Sequence, residues 1–233
     1  MSAFAIRTPR AFALVAASAV AATLLAACGD FSITIGDGES KVKGSGVKAT
    51  ETRAVAAFTA IDATGVGKLK LRVGEEDSLK ITADDNILPI IKTEVKDGVL
   101  VLSTKGAMSS KTDIVFEATA KTIKRLENSG TVSIDASGFD GGDLSVEASG
   151  VGSIELSGRV DSLTARLSGV GSLDAEGLTA DRVKTDLSGV GSANVRAEKS
   201  ISGSVSGVGS LTWKGAATDV STSVSGIGRV SKG

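Results

Sequence analysis

A five-residue phrase recurs along the second half of the chain and constrains its fold more than any other feature. It occurs as Ser149-Gly150-Val151-Gly152-Ser153, Ser168-Gly169-Val170-Gly171-Ser172, Ser188-Gly189-Val190-Gly191-Ser192, Ser206-Gly207-Val208-Gly209-Ser210 and Ser225-Gly226-Ile227-Gly228-Arg229, with a weaker copy at Ser129-Gly130-Thr131-Val132-Ser133. The first glycines stand at 130, 150, 169, 189, 207 and 226, so each copy follows the last by 18 to 20 residues. A fixed period in this range marks a stacked repeat whose units bury a face against their neighbours.

Aligned on the first glycine, both flanks of the phrase show strand alternation. Six, four and two residues before it lie Leu144, Val146, Ala148; Leu163, Ala165, Leu167; Val183, Thr185, Leu187; Ile201, Gly203, Val205; and Val220, Thr222, Val224. Four and six residues after it lie pairs such as Ile154 and Leu156, Leu173 and Ala175, or Leu211 and Trp213. The intervening residues, among them Thr164, Arg166, Lys184 and Asp186, are polar and face water. Strands that recur at this interval are too far apart in sequence to be hairpin partners, so they stack in parallel. Parallel crossovers are right-handed in nearly all folds, which predicts an all-β, right-handed parallel β-helix (β-solenoid) with coils of about 18–20 residues. Variation in repeat length falls in one return corner, where a loop absorbs it.

The earlier half is less regular. Ile61, Ala63, Leu69 and Leu71 fit the template around Gly65-Val66-Gly67, and the interval to Gly130 leaves room for about three wider turns. Asp97-Gly98 between Val95 and Val99-Leu100-Val101 is a hairpin signal, and Lys121–Leu126 is expected to be strand. The organisation expected is a leader over 1–27, a flexible Gly-rich tether over 28–49, an irregular β-rich half over 50–127 and regular solenoid repeats over 128–233.

The leader carries Arg7 and Arg10 and then the uncharged stretch Ala11–Ala27, the layout of an export signal. Leu25-Ala26-Ala27-Cys28 resembles a bacterial lipobox, which implies acylation of Cys28, the single cysteine, and attachment to a membrane. An ordinary secretory leader and a short membrane helix are the other readings. Gly29 after the cysteine favours the outer membrane over the inner, with the protein exported to the periplasmic or surface face. No second cysteine exists for a disulfide, so packing and backbone pairing must hold the fold.

Composition limits the chemistry. With no histidine and no tyrosine, histidine-dependent nucleophiles and histidine-ligated metals are excluded. A net charge of −1 with interspersed signs gives no electrostatic case for nucleic acid. The densest acidic stretches are Glu75-Glu76-Asp77 and Asp84-Asp85 beside Asn86; they are candidate carboxylates for a polysaccharide-cleaving enzyme or a calcium site, set against a solvated turn. Asp140-Gly141-Gly142-Asp143 is expected to be a corner loop. No cofactor is expected. Ser149, Ser168, Ser188, Ser206 and Ser225 would form a hydroxyl ladder at about 4.8 Å spacing, either a contact row for an extended glycan or hydroxyls that simply fit a tight turn. The last coil, through Val224, Ile227 and Val230, is expected to pair with another subunit.

Several further pieces follow in a characteristic order: Gly44-Ser45-Gly46, Thr50-Glu51-Thr52-Arg53, Phe58-Thr59-Ala60-Ile61, Leu79-Lys80-Ile81-Thr82-Ala83-Asp84-Asp85-Asn86, Thr93-Glu94-Val95 and Asp97-Gly98-Val99-Leu100, then the Ser-Gly-Val-Gly ladder. This order resembles the bacterial family of autotransporter adhesin head GIN domains over about residues 44–231. The resemblance implies an exported β-helical surface or periplasmic domain with an adhesive role. The function expected is therefore a non-enzymatic, lipid-anchored envelope module that binds glycan or an envelope protein; a carboxylate-dependent polysaccharide-degrading enzyme and a purely structural envelope component are the alternatives.

Overall fold

The computed structural model describes residues 41–233. The leader, Cys28 and the first part of the expected tether, residues 28–40, lie outside the described residues. The alternation read from the repeats becomes two ladders of parallel strands. One ladder is built from the segments before each phrase: β3 (Ala60–Ala63), β10 (Arg125–Asn128), β12 (Asp143–Ala148), the C-terminal parts of β13 (Val151–Leu167), β14 (Val170–Leu187) and β15 (Val190–Val205), and β17 (Asp219–Val224). The other is built from the segments after it: β4 (Val66–Val73), β11 (Thr131–Asp140), the N-terminal parts of β13, β14 and β15, β16 (Val208–Lys214) and β18 (Ile227–Lys232).

Apart from the half-buried corner glycines, every inward position from Leu163 to Val205 is buried, and the outward residues between them are partly or fully exposed. Pairing in register puts like positions on one another, as Ile154 on Leu173 on Ala193. The column is branched aliphatic from Leu69 through Val230 apart from Ala193, so aliphatic side chains stack on one another along the axis. The return segment contributes more than a loop: Phe139, Val160, Leu178, Ala180 and Ala197 are buried there and close a third side of the core. The register shifts sit in the same segment, between Glu155 and Ser157 and between Ala175 and Thr179, so variation in repeat length is absorbed as bulges.

The first half departs from the expected wide turns. The rung of Gly65 lies directly on that of Gly130, with Leu126 paired to Ile61 and Thr131 to Val66. The residues between them build one further rung on the opposite side, where β7 (Val99–Thr104) pairs with β3 and β9 (Val115–Ala120) pairs with β4. Antiparallel strands then close this end: β6 (Ile91–Lys96) on β7, β5 (Ser78–Asp84) on β9, and β2 (Lys48–Arg53) on β5. Phe58, Ile87 and Ile91 fill the interior beneath them. The outer strands, KATETR and IKTEVK, alternate charges along their edges, a composition that discourages further strand addition. The Asp97-Gly98 hairpin forms as expected, both residues having positive φ. Lys121–Leu126 is strand only from Arg125.

Part of the expected tether is also structured. Within residues 41–49, β1 (Val42–Lys43) pairs with β8 (Met108–Ser109), and β2 begins at Lys48. The glycines read as flexible are required by packing: a Cβ on Gly44 would meet the Asp84 carboxylate at 1.9 Å, and Gly46 has φ +89°.

Candidate binding surface

The phrase itself makes the corner between the two ladders. Counting from its first glycine, even-numbered positions face inward and odd-numbered ones face outward. Both glycines therefore point toward the stack, and the residue between them points out. A Cβ on Gly150, Gly169, Gly189 or Gly207 would lie 2.0 Å from the carbonyl oxygen of the first glycine in the preceding rung. No side chain fits there, and this close approach explains why the glycine returns in every copy. The amides of Ser168 and Gly169 both donate to the Ala148 carbonyl, and the same forked bond recurs at Ser188 and Gly189 onto Leu167.

The outward residue of the corner forms a row that is aliphatic in every rung but that of Thr131. Val66, Thr131, Val151, Val170, Val190, Val208 and Ile227 pair successively in register. The valines are 46–54% exposed and Ile227 is 78% exposed. At about 4.8 Å per step the row is ~29 Å long. On one side run the five expected serines, Ser149, Ser168, Ser188, Ser206 and Ser225, all exposed. Among the described residues none of their hydroxyls bonds to a protein group. On the other side run Ser133, Ser153, Ser172, Ser192 and Ser210, between Lys68 at one end and Arg229 at the other. The corner is thus an aliphatic crest between two hydroxyl lanes, free of charge over its central rungs.

The apolar crest was not singled out in the sequence, although the signal was present. Val is the one outward position that is aliphatic in copy after copy, against the polar rule at all the others. Beneath it a narrow cleft is lined by the glycines of three rungs with Leu167, Leu187 and Asn128. Asn128 is buried; its amide donates to the Val132 carbonyl at 2.9 Å and its Oδ1 has no protein partner.

The carboxylates do not converge. Asp84 is fully buried and accepts from Ser110 Oγ at 2.8 Å, the Lys111 amide at 2.7 Å and the Gly46 amide at 3.1 Å. Burial alone would raise its pKa, but the bonds from Lys111, Ser110 and Thr112 together outweigh it and hold the carboxyl below its ordinary value. Buried and with its oxygens occupied by these donors, it is an ionised clasp at neutral pH rather than a group placed to meet an external substrate. Asp85 accepts from the Ser45 hydroxyl and the Asn86 amide, and Asn86 in turn holds Ser45 and Lys43. Asp77 accepts from the Lys121 amide at 3.3 Å. Asp140–Asp143 is a corner turn, with Gly141 and Gly142 at φ +87° and +79°. No cluster of three acidic or thiol side chains suited to a metal occurs among the described residues.

Residues 57–217 match the family described as "Putative auto-transporter adhesin, head GIN domain". The chain belongs to this family. A crystal structure of a "putative adhesin" from Bacteroides fragilis is 26% identical to this head GIN domain, with a TM-score of 0.69 over 82% of this chain and 99% of that one. Two more distant structures share the fold: a "putative adhesin" from Parabacteroides merdae (21% identity, TM-score 0.52, 83% of this chain and 99% of that one) and a "Putative lipid binding protein" from Parabacteroides distasonis (18%, 0.51, 83% and 100%). No curated protein matches the chain. The family and these neighbours carry adhesin or binding names rather than enzyme names. Among the described residues no helix is long and apolar enough to cross a membrane.

Proposed function

We propose that this head GIN domain is a non-enzymatic binding module of the cell envelope, tethered to the outer membrane through a lipid on Cys28, that engages a glycan or an envelope protein along the Ser–Val–Ser corner. The observation that carries this reading is the crest itself: a row aliphatic in six of its seven rungs with free hydroxyls on both sides, where the solenoid's other outward columns carry charge. An exposed apolar patch of this extent matches the largest found on a typical monomer, which is often functional. The C-terminal rung is a second contact in this reading. Its inward residues Val220 and Val224 are 43% and 45% exposed, and β17 pairs only with β15, so another subunit would cover them by strand addition. A strictly monomeric mass by light scattering at high concentration would count against that contact.

The test is retention of a soluble fragment, Ser32–Gly233, on a panel of envelope polysaccharides and on intact cells, with product lengths measured in the same samples. Retention without chain shortening is expected, and replacing Ser168 and Ser188 by alanine should weaken it without unfolding the domain. Shortened polysaccharide would instead establish an enzyme, and no retention on any surface would remove glycan and envelope protein as ligands of the corner.

A further inference from the structure

The crest has a property that narrows its partner. Its side chains repeat at the rung spacing of a parallel β-stack, and this spacing is set by backbone hydrogen bonds rather than by side-chain chemistry. A ligand with any other repeat falls out of step over six intervals. A second copy of the same crest stays in step throughout, and over the unbroken aliphatic run from Val151 to Ile227, ~19 Å, each side chain enters the gap between two of its counterpart's, as identical rows mesh in a steric zipper. We infer that the partner of this corner is a second copy of this chain, the two crests meshing about a two-fold axis. This rests on the reading of the corner as a binding surface.

Three features favour self-apposition. The residues on either side of each crest side chain are glycines in the rungs of Gly150, Gly169, Gly189 and Gly207, so the valines stand clear of their neighbours and can be approached closely. The hydroxyl lanes carry no charge from Ser149 to Ser210, so bringing two copies together sets no like charges opposite one another over the central rungs. The other outward columns lack this neutrality: one carries Glu147, Arg166 and Asp186, and the return side carries Arg159, Asp181 and Lys199. Six half-exposed aliphatic side chains offer about 500 Å² per copy, roughly 1,000 Å² in all, at the lower limit for a specific interface. The contact is therefore weak for an isolated pair and becomes firm when many copies share a surface, as homotypic adhesion requires.

The experiment uses the full chain with Cys28→Ser, so that an engineered thiol is the only one present. Val170→Cys, at the middle of the crest, is treated with a short thiol-to-thiol cross-linker beside Lys184→Cys, which faces outward away from the crest. Cross-linked dimer from Val170→Cys and not from Lys184→Cys is expected; equal yields would overturn the inference. Pairing through the C-terminal rungs cannot mimic this result, because it would leave the two Val170 positions seven rung spacings, ~34 Å, apart. In sedimentation equilibrium the double variant Val170→Glu/Val190→Glu should dimerise at least about tenfold more weakly with its circular dichroism unchanged, since it places carboxylates face to face; undiminished association would again overturn it. Polysaccharide retention without Val170 cross-linking would overturn the self-contact while leaving the corner a binding surface. Cross-linking without retention would support the self-contact and remove the glycan.

Discussion

The glycine column sets the rung spacing at the corner, and its removal has a calculable cost. In Gly169→Ala the new Cβ would stand 2.0 Å from the Gly150 oxygen and 2.7 Å from the Ser149 carbonyl carbon, where contacts below 3.0 Å do not occur. The rungs must part there by about 1 Å, and the obstructing atoms are backbone, so no rotamer change relieves the clash. Three hydrogen bonds cross this gap: Ser168 N to Ala148 O at 2.8 Å, Gly169 N to Ala148 O at 3.0 Å and Val170 N to Gly150 O at 3.0 Å. Lengthened to about 4 Å they are lost, at roughly 1 kcal/mol each, while the stiffer unfolded chain returns ~0.4–1 kcal/mol. A net loss of about 2–3 kcal/mol follows, or ~5–10 °C in Tm for a chain of this size. Gly177→Ala is the control. Neither glycine has a left-handed φ, and the nearest atom to a Cβ on Gly177 is 3.2 Å away. Its effect should stay within about 0.5 kcal/mol. Urea and thermal unfolding followed by circular dichroism measure both variants, and equal stability of the two would refute the argument that close rung contact demands the glycine.

Two other perturbations test the core and the clasp. Leu173→Ala, at a fully buried position between Ile154 and Ala193, should cost ~2–5 kcal/mol, whereas Thr164→Ala on the outward face should cost under about 0.5 kcal/mol; similar losses would mean the register is wrong. Asp84 is held below its ordinary pKa of 3.8, so the folded state binds fewer protons than the unfolded chain as pH falls toward that value. Its stabilisation is complete above about pH 5, a unit above the unfolded value, and is lost as pH drops through the folded value. Asp84→Asn should lower Tm at neutral pH and flatten the acid decline of Tm, and a variant whose acid profile matched the wild type would exclude Asp84 as the clasp.

The regular half of the fold was legible because its information is local and repeated. Leu163, Ala165 and Leu167 alternate with polar residues by strand period, and the recurrence of that pattern every 18 to 20 residues leaves parallel stacking as the arrangement that buries all copies at once. The same parity, carried through the two glycines, assigns Val151 and its counterparts to the outside; the aliphatic crest was therefore written in the sequence beside the serine lanes. The first half was not legible in this way. Gly65 and Gly130 are 65 residues apart in the chain yet belong to adjacent rungs, because β7 and β9 add to the far side of the Gly65 rung and β6, β5 and β2 reverse direction to close it. An amphipathic strand carries the same alternation whichever side of a rung it joins and whichever way it runs, so periodicity cannot encode this order. The fate of Gly44-Ser45-Gly46 was hidden for a related reason: its glycines look like a flexible linker until Asp84, 40 residues away from Gly44, is brought against them. The sequence by itself determined the repeat, the two faces of each strand and the absence of histidine chemistry, all of which depend on residues near one another in the chain. The tertiary structure alone decided the stacking order, the capped end and the burial of the Asp84 carboxylate, because each depends on which distant backbone groups find one another once the core has formed.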